Sequence, residues 1–268
     1  MIAEPRQAVI TDLRKSAKYA TLCEPTLERI AVWAIARHPR PKDAAKAAKR
    51  KLHQVFGAYL DPGAVALAER AVDELGDSPD KAALAQAADA ILRHHASSKE
   101  RLAGLGSFYR ALWQVTGAPA SVLDIACGFS PFALPMMGLP AECRYDAIDI
   151  DTRLMAVAER FRALYGQPGR IEAGDVLVDP PEKDADVALV LKTLPCLDQQ
   201  ETGAGARLLR QIKARTIVVT YPVRSLGGRD KNMAATYRDS FAKVTAGLGR
   251  RVDEIEGEDE LVFVLTQL

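Results

Sequence analysis

The spacing of hydrophobic positions changes near residue 120. Before it, apolar residues recur every three to four positions, the period of amphipathic helices. In 24–37 (EPTLERIAVWAIAR), Leu27, Ile30, Trp33 and Ile35 follow this spacing, and Pro25 suits an opening helical turn. The segment 42–60 (KDAAKAAKRKLHQVFGAYL) continues as a predicted helix. It turns Ala47, Leu52, Val55 and Tyr59 inward and spreads Lys46, Lys49, Arg50 and Lys51 over its other sides. Asp61-Pro62-Gly63 breaks it, and two further helices are predicted over 64–75 and 80–94, parted by GDSPD. No internal repeat or low-complexity tract interrupts the pattern.

Beyond residue 120 the apolar runs become short. SVLDIAC (121–127), RYDAIDI (144–150), 170–173, DVALVLK (186–192) and TIVVTYP (216–222) read as strands, the last being the richest in β-branched residues. Helices are predicted between them, notably over 152–165 and 201–213. Strands alternating with helices imply a parallel sheet covered on both faces. The last stretch, RRVDEIEGEDELVFVLTQL, reads as strand, turn and strand, an antiparallel hairpin closing the sheet. The predicted fold is α/β: a Rossmann-like, seven-stranded sheet with the strand layout of S-adenosylmethionine-dependent methyltransferases, preceded by a helical domain. The expected division is 1–105 and 106–268.

Composition narrows the class. The chain has 268 residues, 48% hydrophobic and 26% charged, ordinary values for a globular protein. No apolar run reaches the roughly 18 residues of a membrane span. The first residues lack the apolar core of a secretory signal, and Cys23, Cys127, Cys143 and Cys196 form no CxxC pair, which argues against a disulfide framework or structural zinc. The expected setting is soluble and cytoplasmic, with no membrane partner and no metal. The net charge of +1 conceals strong local asymmetry. Residues 1–60 carry twelve Lys and Arg against five Asp and Glu; residues 207–251 carry eleven against two; residues 252–268 carry six acids and no base. Two basic zones of this kind are either solvated helix faces or the footprint of a polyanion.

In a doubly wound sheet the ligand lies outside the C-terminal strand ends, where the strand order reverses. The first strand ends in Asp124-Ile125-Ala126-Cys127-Gly128, whose small residues Ala126 and Gly128 let the backbone approach a ligand. The phosphate-cradling GxGxxG pattern is absent, as is a P-loop, which argues against a dinucleotide. The second strand ends in Asp149-Ile150-Asp151, where a carboxylate can accept both hydroxyls of a ribose. The third ends near Gly174-Asp175-Val176, where an acid can take the exocyclic amine of adenine and the Val176 backbone a ring nitrogen. Each Asp singly is equally at home as a turn or helix cap; three at successive strand ends favour an adenosyl ligand without phosphates.

The fourth strand runs into Leu191-Lys192-Thr193-Leu194-Pro195-Cys196, where a methyltransferase meets its substrate. Cys196 is either a structural thiol or, as in cytosine-C5 RNA methyltransferases, a nucleophile. Asp179-Pro180-Pro181 is half of an Asp-Pro-Pro-Tyr signature, without the aromatic residue and ahead of the fourth strand, and reads as a loop.

HHASSKERL (94–102), DIACGFSP (124–131), MGLPAE (137–142), DIDTRL (149–154), LVLKTLPCLDQQ (189–200) and VVTYPVRSLGGRDKNM (218–233), with HQVFGAYL (53–60), together resemble the aminoglycoside-resistance 16S ribosomal RNA methyltransferases that modify N7 of guanine-1405. The resemblance implies S-adenosyl-L-methionine as donor, the assembled 30S subunit as substrate, a helical N-terminal domain that docks on rRNA, and a monomer. Carried over by position, it implies that Tyr59, His95, Ala96, Ser97 and Arg101 line the donor pocket from the N-terminal side, Arg101 meeting the methionine carboxylate. Ala126 and Gly128 would pass the methionine part, Asp149 would hold the ribose, and Asp175 with Val176 the adenine, with Leu191 and Gln200 completing the pocket. Lys192, Arg224, Arg229, Lys231 and Met233 would lie on the rRNA side. Where relatives often read RER, residues 99–101 read KER, which keeps the charge. Guanine N7 has a free lone pair, so no acid–base catalyst is expected; alignment and exclusion of water are, with the base flipped out of its helix. The residues alone leave open adenine N1, cytosine C5 through Cys196, or a non-catalytic rRNA-binding factor.

Overall fold

A computed structural model describes residues 3–223, 233–255 and 260–268. The helical part comprises α1 (Ala3–Arg14), α2 (Glu24–Arg37), α3 (Pro41–Leu52), α4 (Ala64–Asp73), α5 (Lys81–Leu92) and α6 (Ala96–Arg101). It is followed by α7 (Leu105–Thr116), β1 (Ser121–Ile125), α8 (Leu134–Met137), β2 (Arg144–Asp149), α9 (Thr152–Tyr165) and β3 (Gly169–Ala173). The rest comprises β4 (Ala185–Leu191), α10 (Leu194–Gln200), α11 (Ala204–Gln211), β5 (Ala214–Pro222), α12 (Met233–Thr245), β6 (Arg250–Ile255) and β7 (Glu260–Gln267).

The seven strands lie in the order β3-β2-β1-β4-β5-β7-β6. β1 to β5 are parallel, and β7 runs antiparallel to both β5 and β6, so the terminal hairpin is inserted with its second strand inward. Period-two alternation divides the sheet's side chains between two cores. Val122, Val187 and Val218 face one core with α4, α5, α7 and α9; Leu123, Ala188 and Ile217 face the other with α10, α11 and α12. Coverage on both sides explains why the central strands read as unbroken apolar runs. Strand order reverses between β1 and β4, which places a cleft outside their C-terminal ends.

The helices N-terminal to residue 105 fall into two groups. α4 and α5 pack into the first sheet core, whereas α1, α2 and α3 enclose a cluster of their own around Leu13, Leu27, Ile30 and Leu52. That cluster is clamped to the turn between β2 and α9. The Cys23 amide donates to the Ile150 carbonyl at 2.8 Å, and the Thr152 amide to the Thr21 carbonyl at 2.8 Å. Asp151 caps α9 through the amides of Arg153 and Leu154, both at 3.0 Å, and accepts from the Thr21 hydroxyl at 3.1 Å.

The single helix expected over 42–60 is corrected. α3 ends at Leu52 and gives way to a π-helical turn over His53–Gly57. The buried residues of α3 are Ala44, Ala45, Ala48 and Leu52, so Leu52 lies inward as expected while Ala47 is only half-buried. The wider turn breaks the helical register, so Val55, Phe56 and Tyr59 reach the cleft instead of continuing that buried side.

Candidate active site

The cleft spans about 1000 Å³ including its open mouth. Its floor is the turn after β1. Ala126 and Gly128 take φ of 52° and 53°, so the chain doubles back tightly there; the left-handed conformation costs Ala126 roughly 1 kcal/mol. This turn aims the Gly128 amide at Asp149, at the end of β2, whose Oδ2 accepts it at 2.8 Å while Oδ1 accepts the Ile150 amide at 2.6 Å. Each oxygen retains acceptor capacity toward the cleft. Burial pushes the Asp149 carboxyl up to about 6; the two amides oppose this, and Asp151 and Asp175 add to it.

Asp175 follows β3. Its Oδ2 accepts the Thr26 hydroxyl at 2.8 Å and two nitrogens of Arg29 at 2.9 and 2.7 Å, while Oδ1 accepts the Leu177 amide at 3.0 Å. Val176 beside it is buried against the second sheet core and lines the cleft. Gln200 of α10 presents its Oε1 to Arg29 at 2.9 Å, and Leu191 closes the wall above β4.

The remaining wall comes from the helical part. Leu60 bridges to His95, and the Ala96 amide donates to the Tyr59 carbonyl at 2.9 Å. The His95 ring stacks on Phe129, centroids 5.1 Å apart and planes within 4°, and its Nδ1 lies 3.0 Å from the Ser98 hydroxyl. Burial, with Arg101 and Lys192 nearby, pushes His95 down to about 4, so its imidazole stays neutral at physiological pH. Ser97 and Ser98 line the cleft, whereas Ala96 lies behind them with its amide bonded to the Tyr59 carbonyl. Arg101 lines the cleft while its guanidinium is paired with Glu260 of β7, through Nε and through an Nη at 2.7 Å. Burial would raise the Glu260 carboxyl, but Arg101 outweighs it and holds Glu260 below its ordinary value. The Tyr59 hydroxyl lies 3.3 Å from Cys196 Sγ, and burial pushes this thiol up, away from thiolate.

The fit to an adenosyl ligand can be tested on this arrangement. The amides of Gly128 and Ile150, which a phosphate would need, are taken by Asp149. What lines the cleft is a set of carboxylate acceptors, a neutral imidazole, apolar walls and three cations, Arg29, Arg101 and Lys192, each paired with an acid. The acceptors suit a nucleoside with hydroxyls and an amine, and the Arg101 guanidinium suits a carboxylate on the same ligand.

A family model described as "Ribosomal RNA methyltransferase (FmrO)" matches residues 15–264. The chain belongs to the FmrO family of ribosomal RNA methyltransferases. It is similar to a 16S rRNA (guanine(1405)-N(7))-methyltransferase of Frankia casuarinae, 38% identical over 259 residues that cover 94% of this chain and 90% of that protein. A protein of the same description from Serratia marcescens is 35% identical over 232 residues, covering 87% and 86%. The crystal structure of the 16S rRNA methyltransferase RmtF in complex with S-adenosyl-L-homocysteine aligns with a TM-score of 0.86 at 33% identity, covering 99% of each chain.

Within this member of the FmrO family, the residues expected on the rRNA side are unevenly placed. Lys192 sits inside the cleft wall with a φ of 58°; its ammonium pairs with Glu100 at 2.7 Å and its side chain is 8% exposed. Met233 opens α12, half-buried. Arg224, Arg229 and Lys231 lie outside the described residues. Sequence reasoning missed Arg29, Thr26, Glu100 and Glu260. The charges of Arg29 and Asp175 pair across 146 positions, and no local pattern signals such a pair.

Proposed function

We propose that this chain transfers a methyl group from S-adenosyl-L-methionine to N7 of guanine-1405 of 16S rRNA in the assembled 30S subunit, acting as a monomer and conferring resistance to 4,6-disubstituted 2-deoxystreptamine aminoglycosides. The observation that carries it is a strand-end cleft built for an adenosyl ligand, in a chain whose relatives of 35–38% identity are described as guanine-1405 N7 methyltransferases.

When bound, S-adenosyl-L-methionine supplies an electrophilic methyl group on a sulfonium. Asp149 would accept the ribose hydroxyls, Asp175 and Val176 would take the adenine edge, and the free side of the Arg101 guanidinium would meet the methionine carboxylate. His95, neutral and stacked, would add no repulsion to a cationic sulfur. N7 needs no proton removed, so the work left to the protein is alignment and exclusion of water. Basic side chains on α3 and after β5 would hold rRNA phosphates, making affinity salt-dependent.

The state of Cys196 favours N7 over cytosine C5. A thiol held protonated by burial, hydrogen-bonded to Tyr59, is poorly prepared to attack a base. Cys196→Ala is therefore expected to methylate 30S subunits within about threefold of the wild type, because only a weak sulfur hydrogen bond is lost. Measuring label transfer from radioactive donor checks this, and complete loss of transfer in a folded variant would move the chemistry to a covalent route.

A further inference from the structure

The donor end of the cleft is finished by a helix of the N-terminal cluster. Arg29 and Thr26 stand one turn apart on α2, and both reach the same oxygen of Asp175. Oδ2 thus accepts three hydrogen bonds, filling its capacity, while Oδ1 carries only the Leu177 amide. The carboxylate is fixed in rotation, and Oδ1 alone is left with acceptor capacity, on a residue that lines the cleft. The same Arg29 nitrogen that holds Asp175 also holds the Gln200 carbonyl oxygen, so one guanidinium orients two wall residues from different elements. The Asp175 side chain is 2% exposed and that of Arg29 is 20% exposed. An acceptor buried to this degree, once its donors are removed, has nothing to hold its orientation and would turn toward water.

We propose that Arg29, assisted by Thr26, is a positioning residue that sets the base specificity of the donor site: it keeps Asp175 as an oriented acceptor for the exocyclic amine of adenine. The inference rests on the donor reading above and deepens it. Arg29 is not what seats the N-terminal cluster. Its apolar interior and the backbone bonds of Cys23 to Ile150 and of Thr152 to Thr21 do not involve the Arg29 side chain. Preorganisation of this kind shows as discrimination, because a site built to hydrogen-bond an amine rejects the ligand that lacks it.

The test is calorimetric titration of full-length wild type, Arg29→Met, Arg29→Lys and Thr26→Val with two probes, S-adenosyl-L-homocysteine and S-inosyl-L-homocysteine, in which oxygen replaces the amine. The wild type is expected to prefer the adenine compound by about 100-fold. Arg29→Met should bind the adenine compound at least about tenfold more weakly and the inosine compound nearly unchanged, collapsing the ratio. Arg29→Lys should recover part of it, and Thr26→Val should lower the ratio by a smaller factor. In turnover, Arg29→Met should raise KM for the donor with kcat largely kept. An unchanged ratio in Arg29→Met, or an equal loss for both probes, overturns the proposal, and if Arg29→Met does not fold, an unchanged ratio in Thr26→Val does so. Failure of the wild type to bind the adenine compound at all would instead overturn the donor reading on which the proposal rests.

Discussion

Asp149→Ala is expected to weaken S-adenosyl-L-methionine binding by at least about 100-fold, since two hydrogen bonds to a charged acceptor are lost, each contributing roughly 1.5–3 kcal/mol. The carboxylate does two things at once. It pins the turn after β1 through the Gly128 amide, and it offers its remaining lone pairs to the cleft. Removing it undoes the floor and the acceptor together. The same residue predicts a pH dependence. Burial holds the Asp149 carboxyl at about 6, above its ordinary value of 3.8, so between these values the folded state binds more protons than the unfolded one. Its contribution to stability is therefore present below the ordinary value and declines as pH rises through 6. Donor binding has the opposite sign, because the hydroxyls need the ionised acceptor. Affinity should be level above pH 7 and about tenfold weaker at pH 5, and this slope should vanish in Asp149→Asn. Calorimetry across that range checks both; equal binding by Asp149→Ala would remove Asp149 from the site.

Arg101→Ala is expected to cost about 3–5 kcal/mol of folding stability, because it strands the charge of Glu260 in the interior. Both side chains are more than nine-tenths buried, and the pair ties α6 to the start of β7, elements 159 positions apart. Replacing both partners with apolar residues, Arg101→Met with Glu260→Leu, should return stability close to the wild type, since a buried ion pair contributes little beyond a well-packed hydrophobic one. Methyl transfer should not return with it, because the cleft still lacks the guanidinium. Denaturant unfolding measured beside transfer separates the two roles. A single variant as stable as the wild type would contradict the packing argument. A double variant as active as the wild type would contradict the functional one.

What the sequence disclosed follows from the range over which each signal acts. Helices and strands answer to local periodicity. The predicted 24–37 and 152–165 coincide with α2 and α9, and the strand runs from SVLDIAC to TIVVTYP coincide with β1 to β5. The acids at the strand ends were legible because a doubly wound sheet converts position along the chain into position in space. The π-helical turn after Leu52 was not, since one inserted residue leaves no mark on an Ala- and Lys-rich helix. Nor could periodicity tell helices that pack on the sheet, α4 and α5, from helices that pack on one another, α1 to α3, because both present one apolar side. Lys192 shows the same limit for charge. Its place in the cleft wall and its pairing with Glu100 could not be read from the sequence, because a cation's partner 92 positions away has no local signature.

The most direct test of the account is transfer of labelled methyl from S-adenosyl-L-methionine to purified, unmethylated 30S subunits, with free 16S rRNA in parallel and the labelled nucleotide mapped by mass spectrometry. The predicted result is N7-methylguanosine at position 1405, on 30S subunits and not on free rRNA. Label on another base, or no label from a protein that binds the donor, would contradict it.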